Sequence, residues 1–148
     1  MSKNKIIATY RVKNEARFIE QSLKSVIDIC SEIVVLDDNS TDETVEICSG
    51  FDKVTNILKQ KELPLDETRD RNYLFETTRK LDPDFILSID GDEVFMPNAY
   101  EILLEELSII HPNSGVFDFQ FLTLWDNVST IRTDGIFGNY WQKRLLRM

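Results

Sequence analysis

The sequence predicts an α/β fold: an open, mostly parallel sheet flanked by helices, with antiparallel strands toward the C-terminus. Three observations carry that expectation. Up to about residue 110, short apolar runs alternate with segments of helical periodicity. The runs Ile33-Val34-Val35-Leu36 and Phe85-Ile86-Leu87-Ser88-Ile89 are almost continuously apolar, as strands covered on both faces are. After Gly115 the helical period gives way to aromatic, extended segments separated by turn residues.

Each element follows from its residues. Lys5 to Tyr10 reads as a first strand centred on Ile6, Ile7 and Ala8. From Glu15 to Ile29, Phe18, Ile19, Leu23, Val26 and Ile27 recur at helical spacing. Ile33 to Leu36 is the second strand. Beyond it, Ser40 and Glu43 form a capping box for a short helix ending near Cys48. Val54 to Leu58 is a third strand interrupted by Asn56. Asp66 to Leu81 reads as a helix with Tyr73, Leu74, Thr77 and Leu81 as its inner stripe. Phe85 to Ile89 is the fourth strand. Pro97 stands where a helix begins, with Ile102, Leu103, Leu107 and Ile110 as its apolar face. Gly115 to Trp125, Val128 to Arg132 and Tyr140 to Arg147 are the closing strands, with a turn at Asp126-Asn127.

Composition narrows the function. With 148 residues, 42% hydrophobic and 29% charged, the chain is expected to form one domain over 1–148. A net charge of −9 argues against nucleic acid as a partner, because phosphate backbones require clustered Lys and Arg. It leaves room for a phosphorylated small molecule whose charge a metal offsets. Cys30 and Cys48, placed in helices, show no metal-binding spacing and read as buried, reduced thiols. Met1 to Lys5 leads straight into a strand-like run, and no apolar stretch approaches the ~20 residues of a membrane span. A cytoplasmic protein without a transmembrane segment is expected. The chain stops at Met148 directly after a basic, strand-like segment, which we read as a truncated end.

Three polar clusters follow three predicted parallel strands: Arg11 to Glu15, Asp37 to Asp42, and Asp90-Gly91-Asp92-Glu93. In right-handed βαβ units those strand ends share one edge of the sheet, so the clusters converge on one cleft. Carboxylates this close repel unless a cation lies between them. Oxygen-only ligands favour Mg²⁺ or Mn²⁺ held jointly with a substrate phosphate, which makes a metal–diphosphate site the leading reading. Each cluster also has a plainer reading, as a polar turn or a helix cap. Arg69-Asp70-Arg71-Asn72 joins the site only if its helix start faces the cleft and meets phosphate. His111, the single histidine, reads as a surface residue at a helix end, so histidine-dependent nucleophilic catalysis has no support.

Taken in order, these motifs resemble the family 2 glycosyltransferases, which have a GT-A, Rossmann-like nucleotide-sugar-binding fold. The resemblance is carried by Lys13-Asn14-Glu15, by Ile33 to Thr44 with Asp37-Asp38 at its centre, by Arg69-Asp70-Arg71-Asn72, and by Phe85 to Glu93. The segment Trp141 to Arg147 is more loosely similar to a late strand of the same domain. The resemblance implies transfer of a sugar, with inversion, from a nucleoside-diphosphate sugar (a UDP-sugar first) to a hydroxyl acceptor on a glycan, lipid or protein. It implies that Asp38 contacts the base or ribose and that Tyr10 and Arg11 pack near the nucleoside. Asn14 and Glu15, in the same matching run, would also belong to the nucleotide-sugar-binding site. Asp90 would meet the ribose, Asp90 and Asp92 the Mg²⁺ or Mn²⁺ on the diphosphate, and Arg71 the diphosphate itself. The first strand departs from the family pattern, with Thr9-Tyr10-Arg11-Val12-Lys13 in place of a proline or small residues before the asparagine. An inverting member also needs a base beyond the Asp-x-Asp strand. Asp118, Asp126 and Asp134 are available, with Asp126 and Asp134 as the first candidates, but no motif selects one.

Three rival readings follow from the same residues. A nucleotide-sugar-binding module or remnant without turnover would keep the donor motifs and lack the acceptor half. A haloacid-dehalogenase-type phosphatase would use Asp90 as nucleophile, but places that motif on an early strand with further acids downstream. A nucleotidylyltransferase would show a Gly-rich basic loop after the first strand, where Tyr10-Arg11-Val12-Lys13-Asn14 has no glycine.

Overall fold

A computed structural model describes residues 4–60, 64, 66–111 and 113–148. The elements are β1 (Ile6–Val12), α1 (Ile19–Val26), β2 (Glu32–Asp37), α2 (Thr44–Ser49), β3 (Val54–Lys59), α3 (Glu67–Arg79), β4 (Phe85–Asp90), α4 (Ala99–Ile109), β5 (Val116–Phe121), β6 (Leu124–Trp125), β7 (Asn127–Ile131), a 3₁₀ turn (Gly135–Asn139) and β8 (Tyr140–Arg147). Six strands form one sheet in the order β3-β2-β1-β4-β8-β5. β3, β2, β1 and β4 are mutually parallel, while β8 runs antiparallel to both β4 and β5. β6 and β7 make a separate two-stranded ribbon.

The continuous apolar runs are explained by two cores, one on each face of the sheet. Ile6, Ala8, Tyr10 and Val12 of β1 join Ile19, Leu23 and Val26 of α1, together with Ile33, Val35, Leu87, Ile89, Leu103 and Leu145. On the opposite face Ile7, Val34 and Leu36 pack with Leu74 of α3. Each fully buried Leu or Ile contributes roughly 1.5–3 kcal/mol. The period-two alternation of β1 therefore assigns Arg11, like Ile7, to the face that α3 covers.

Several boundaries differ from expectation for identifiable reasons. The helix expected from Glu15 starts only at Ile19. The backbone N–H groups of Asn14, Glu15 and Ala16 donate to Ser40 Oγ, Thr44 Oγ1 and Asp42 Oδ2 of the next loop instead. The capping box at Ser40 and Glu43 does not form. Asp42 serves the start of α2, its Oδ1 accepting from the Thr44 N–H and hydroxyl at 3.1 and 2.5 Å. In α3 the inner stripe is Asp70, Leu74 and Thr78, and Tyr73 is 50% exposed. The stripe is rotated because Asp70 faces inward to pair with Arg11, at 3.3 Å. On α4 Leu103 is buried and Leu107 packs on the core, but Ile102 is half exposed. The long strand expected to Trp125 breaks after Phe121, and Asp126, at φ 66°, makes the tight turn between β6 and β7.

Cys30 lies just after α1 rather than within it, and Cys48 lies in α2. Both are buried free thiols, pushed up by burial to about 12 and about 11, so neither is a ready nucleophile. Among the described residues no helix is long and apolar enough to cross a membrane.

Candidate functional site: acidic strand ends at the sheet's switch point

The chain builds outward from β1 to β2 and β3, then returns to place β4 on the other side of β1. Strand order reverses there, and in open α/β sheets ligands bind at the carboxyl ends beside that reversal. The residues facing each other across it are Arg11 and Asp90, which are paired in register at the ends of β1 and β4. Val12 is similarly level with Asp37 at the end of β2.

On the β1–β2 side, Arg11 organises the carboxylates. Its Nη2 donates to Asp38 Oδ2 at 2.9 Å and its Nε to Asp70 Oδ2 at 3.3 Å. Asp70 is only 1% exposed and is completed by Gln60 Nε2 and by Arg69 Nε, both donating to its Oδ1. Lys13 Nζ lies 3.5 Å from Asp38 Oδ2. Buried charge is tolerated because each carboxylate has a cation in contact.

On the β4 side, the turn after the strand carries Asp90, Asp92 and Glu93. Asp90 Oδ1 accepts from Arg71 Nη2 at 3.1 Å, and its Oδ2 from Arg144 Nη2 at 3.0 Å. Arg144 also donates to Glu93 Oε1, and Glu93 Oε2 accepts from the Asp90 N–H at 3.0 Å. Asp92 is exposed, with no hydrogen bond or ion pair among the described residues. Burial, opposed by the Asp90 N–H and Arg144, leaves the Glu93 carboxyl raised.

Two loops lock these halves together. Asn14, at φ 55°, accepts through Oδ1 from the Thr41 N–H at 2.8 Å, tying the β1–α1 loop to the β2–α2 loop. Glu15 lies over the β4 turn so closely that a Cβ on Gly91 would stand 2.8 Å from Glu15 Cγ. Its carboxyl is raised, first by burial and then by Asp92, Asp42 and Asp90. The excess of negative charge is thus felt where the three clusters meet.

Arg11, Asn14, Glu15, Asp38, Arg71, Asp90 and Asp92 therefore all stand around the strand ends. Tyr10 needs correction: its ring is fully buried in the core, and its hydroxyl lies 3.1 Å from Ser22 Oγ. It can support the site through its backbone and through Ser22, not by packing its ring on a nucleoside. The acids further along the chain stand apart. Asp134 is held by a two-point contact from Arg132, at 2.7 and 3.1 Å, which keeps its carboxyl below the usual range. Asp118 pairs with Lys143 at 3.1 Å. Neither these nor Asp126 hydrogen-bonds or ion-pairs with the strand-end cluster among the described residues. Two shallow cavities lie elsewhere: about 590 Å³ beside Glu20, Glu43, Glu46 and Phe51, and about 400 Å³ beside Trp125, Arg132 and Asp134.

Sequence reasoning missed Arg144 and the central place of Asp70. The signal for Arg144 was an arginine set directly against Leu145-Leu146 in a strand, where only a paired charge can be buried.

Comparison with known proteins bears on the whole arrangement. Residues 6–146 match the family described as glycosyl transferase family 2. Uncharacterised proteins of Mycobacterium tuberculosis (Rv3786c) and Mycobacterium bovis (Mb3815c) are each 30% identical over 94 residues, covering 60% of this chain and 23% of theirs. The chain thus spans about a quarter of the length of these curated relatives. Among solved structures, Staphylococcus aureus TarS 1–349 is similar at a TM-score of 0.57 and 20% identity, covering 70% of this chain and 32% of that one. Glucosyl-3-phosphoglycerate synthase of M. tuberculosis, solved with UDP, is similar at a TM-score of 0.56 and 18% identity, covering 76% and 43%. A strand order that reverses beside β1, a family match over nearly the entire chain and these shared folds lead to one assignment: the chain belongs to glycosyl transferase family 2 and has the GT-A fold.

Proposed function

We propose that this chain binds the donor of a glycosyltransferase, a nucleoside-diphosphate sugar with UDP as its first candidate nucleotide, and passes the sugar with inversion to a hydroxyl acceptor. The observation that carries this reading is the convergence of Asp38, Asp90 and Asp92 beside Arg11 and Arg71 at the switch point between β1 and β4. Asp38, held by Arg11, offers acceptor oxygens suited to an imide N–H or ribose hydroxyls. Arg71 is on the exposed side of α3, free to leave Asp90 for a phosphate oxygen. The structures of M. tuberculosis glucosyl-3-phosphoglycerate synthase with UDP and Mn²⁺ or Mg²⁺ support the choice of nucleotide and ion.

The residues fit such an ion on one condition. Among the described residues no three His, Cys, Asp or Glu side chains form a closed cage. Asp92 has unshared oxygens, and Asp90 keeps one oxygen on the exposed Arg71. That is a partial, hard-oxygen set that suits Mg²⁺ or Mn²⁺ completed by diphosphate oxygens. When bound, the ion would offset charge on the departing diphosphate. Of the candidate bases, Asp134 is weakened by Arg132 and Asp118 is spent on Lys143, which makes Asp126 the acid to test first.

A second reading, donor binding without transfer, is favoured by the separation of every candidate base from the strand-end cluster. The phosphatase reading is set aside, since the motif follows the fourth strand rather than an early one.

Calorimetric titration of UDP, GDP and dTDP, with and without Mn²⁺, tests the proposal. One nucleotide should bind more tightly with the ion, and Asp92→Asn should abolish that gain. Indifference to Mn²⁺ for all three would sink the donor site. Ion-dependent UDP binding with no release of sugar from any UDP-sugar would select the second reading.

A further inference from the structure

Arg144 is out of place in its strand. Its neighbours Leu145 and Leu146 pair with Leu87 and Ile86 of β4. On the other side β5 slips register: Phe117 is level with Leu145, but Asp118 is level with Lys143. Arg144 is therefore the unopposed residue of a β-bulge, a feature that re-aims a side chain and is enriched beside functional sites.

The bulge carries the guanidinium to the β4 turn. The Arg144 side chain is only 6% exposed and lies 5.1 Å from the centroid of the Phe121 ring. Its Nη2 serves both Asp90 Oδ2 and Glu93 Oε1, while its Nε is buried without a hydrogen-bond partner among the described residues. Glu93 closes the turn on itself: its N–H donates to the Asp90 carbonyl at 3.1 Å, and its own carbonyl accepts from Ser22 Oγ at 2.5 Å. The turn is thus clamped from α1 through Ser22 and from β8 through Arg144.

Burying an arginine with one nitrogen unsatisfied is a poor way to stabilise a strand, because an apolar residue would do so without the desolvation cost. The cost makes sense if the arginine holds something else in place. Arg71, by contrast, is 43% exposed and, among the described residues, ion-pairs with the other oxygen of Asp90. The two arginines divide the carboxylate between a fixed contact and an exchangeable one.

We propose that Arg144 is a positioning residue for the metal–diphosphate end of the donor site, holding Asp90 Oδ2 and Glu93 so that Asp90 Oδ1 and Asp92 are left for the ion. This role rests on the donor-site reading above. It separates into two affinities: UDP alone reports the nucleoside end around Asp38, and the added tightening by Mn²⁺ reports the Asp90–Glu93 turn.

Calorimetry of UDP with and without Mn²⁺ on the 148-residue chain and on Arg144→Gln measures both. Affinity without the ion should stay within about twofold, while the tightening caused by Mn²⁺ falls by about tenfold or more, as when groups behind metal ligands are removed. Equal weakening with and without Mn²⁺ would mean a packing role and overturn the proposal. So would tightening equal to that of the wild type. A wild type indifferent to Mn²⁺ would overturn the donor site itself and Arg144's role with it. Should Arg144→Gln not fold, Arg144→Lys is read by the same two affinities. Lysine keeps the charge but lacks the planar fork needed to hold two carboxylates at fixed angles.

Discussion

The two ends of this molecule solve the same problem differently. Around β1, β2 and β4, polar side chains reach across the fold: Arg11 to Asp70, Asn14 to Thr41, Asp42 to Ala16, Arg144 to Asp90. Around β6, β7 and the 3₁₀ turn, partners are two or three residues away: Arg132 with Asp134, Asn127 with Ser129 and Thr130, Asn139 with Trp141. The apolar side chains there, Leu124, Trp125, Ile131 and Ile136, stay about half exposed or more. Long-range pairs fix the relative position of elements, which is what a site assembled from three strand ends requires. Local pairs finish a ribbon and leave its placement to other forces. That contrast explains why the strand-end residues gather while Asp126 and Asp134 stand apart from them.

The sharpest way to break the comparison is to remove the arginine at the centre of each end. Arg11→Met leaves Asp70 and Asp38 short of a buried cation. The loss should be about 3 kcal/mol, at the low edge for a broken buried pair because Arg69 and Lys13 remain. Arg132→Met removes an exposed pair and should leave the urea midpoint unchanged. Equal losses in the two denaturation curves would erase the distinction. Packing gives the next contrast. Leu145→Ala, fully buried between the sheet and its core, should cost about 2–5 kcal/mol. Trp125→Ala, 59% exposed, should move stability by about 0.5 kcal/mol or less.

How much of this was readable beforehand follows the same division. The parallel half was legible because burial on both faces writes itself into the sequence: Ile33 to Leu36 and Phe85 to Ile89 could hardly be anything but central strands. The acidic strand ends were legible for a related reason, since βαβ handedness brings them to one edge. What escaped were side chains whose role depends on a distant partner. Nothing local separates Asp70 from its charged neighbours on α3 until Arg11 is known to face it. Arg144 depends on a register slip between β5 and β8 that no periodicity encodes. The capping box at Ser40 failed likewise, because Asn14, twenty-six residues earlier, had claimed the hydroxyl. Tyr10 was misplaced because strand alternation sends its ring into the core under α1, while Arg11 takes the other face, toward α3 and Asp70.

The latch between the two loops permits a finer test. Asn14 combines a left-handed backbone, φ 55°, with a side chain that accepts from Thr41. Asn14→Gly keeps the backbone and loses only the hydrogen bonds, at about 1 kcal/mol, whereas Asn14→Ala adds roughly 1 kcal/mol of backbone strain. Equal midpoints for the two variants would mean that the left-handed turn relaxes without cost.

The smallest expected effect is also the one with a pH signature. The Thr44 hydroxyl holds the Asp42 carboxyl below its ordinary value of 3.8, with further help from the Ala16 and Thr44 N–H groups. A carboxylate lowered on folding adds stability that is fully present above its unfolded value. That contribution is lost as pH falls through the lower folded one. Asp42→Asn should therefore melt slightly below the wild type at pH 7. The gap should begin to narrow as pH falls below about 4 and close once both proteins carry a neutral group there. Because Asp42 joins α2 to the β1–α1 loop, the lost contact should also be felt at a distance, as faster amide exchange at Ala16. A pH-independent gap with unchanged exchange at Ala16 would reduce Asp42 to a local helix cap, the kind of contact that the ribbon uses.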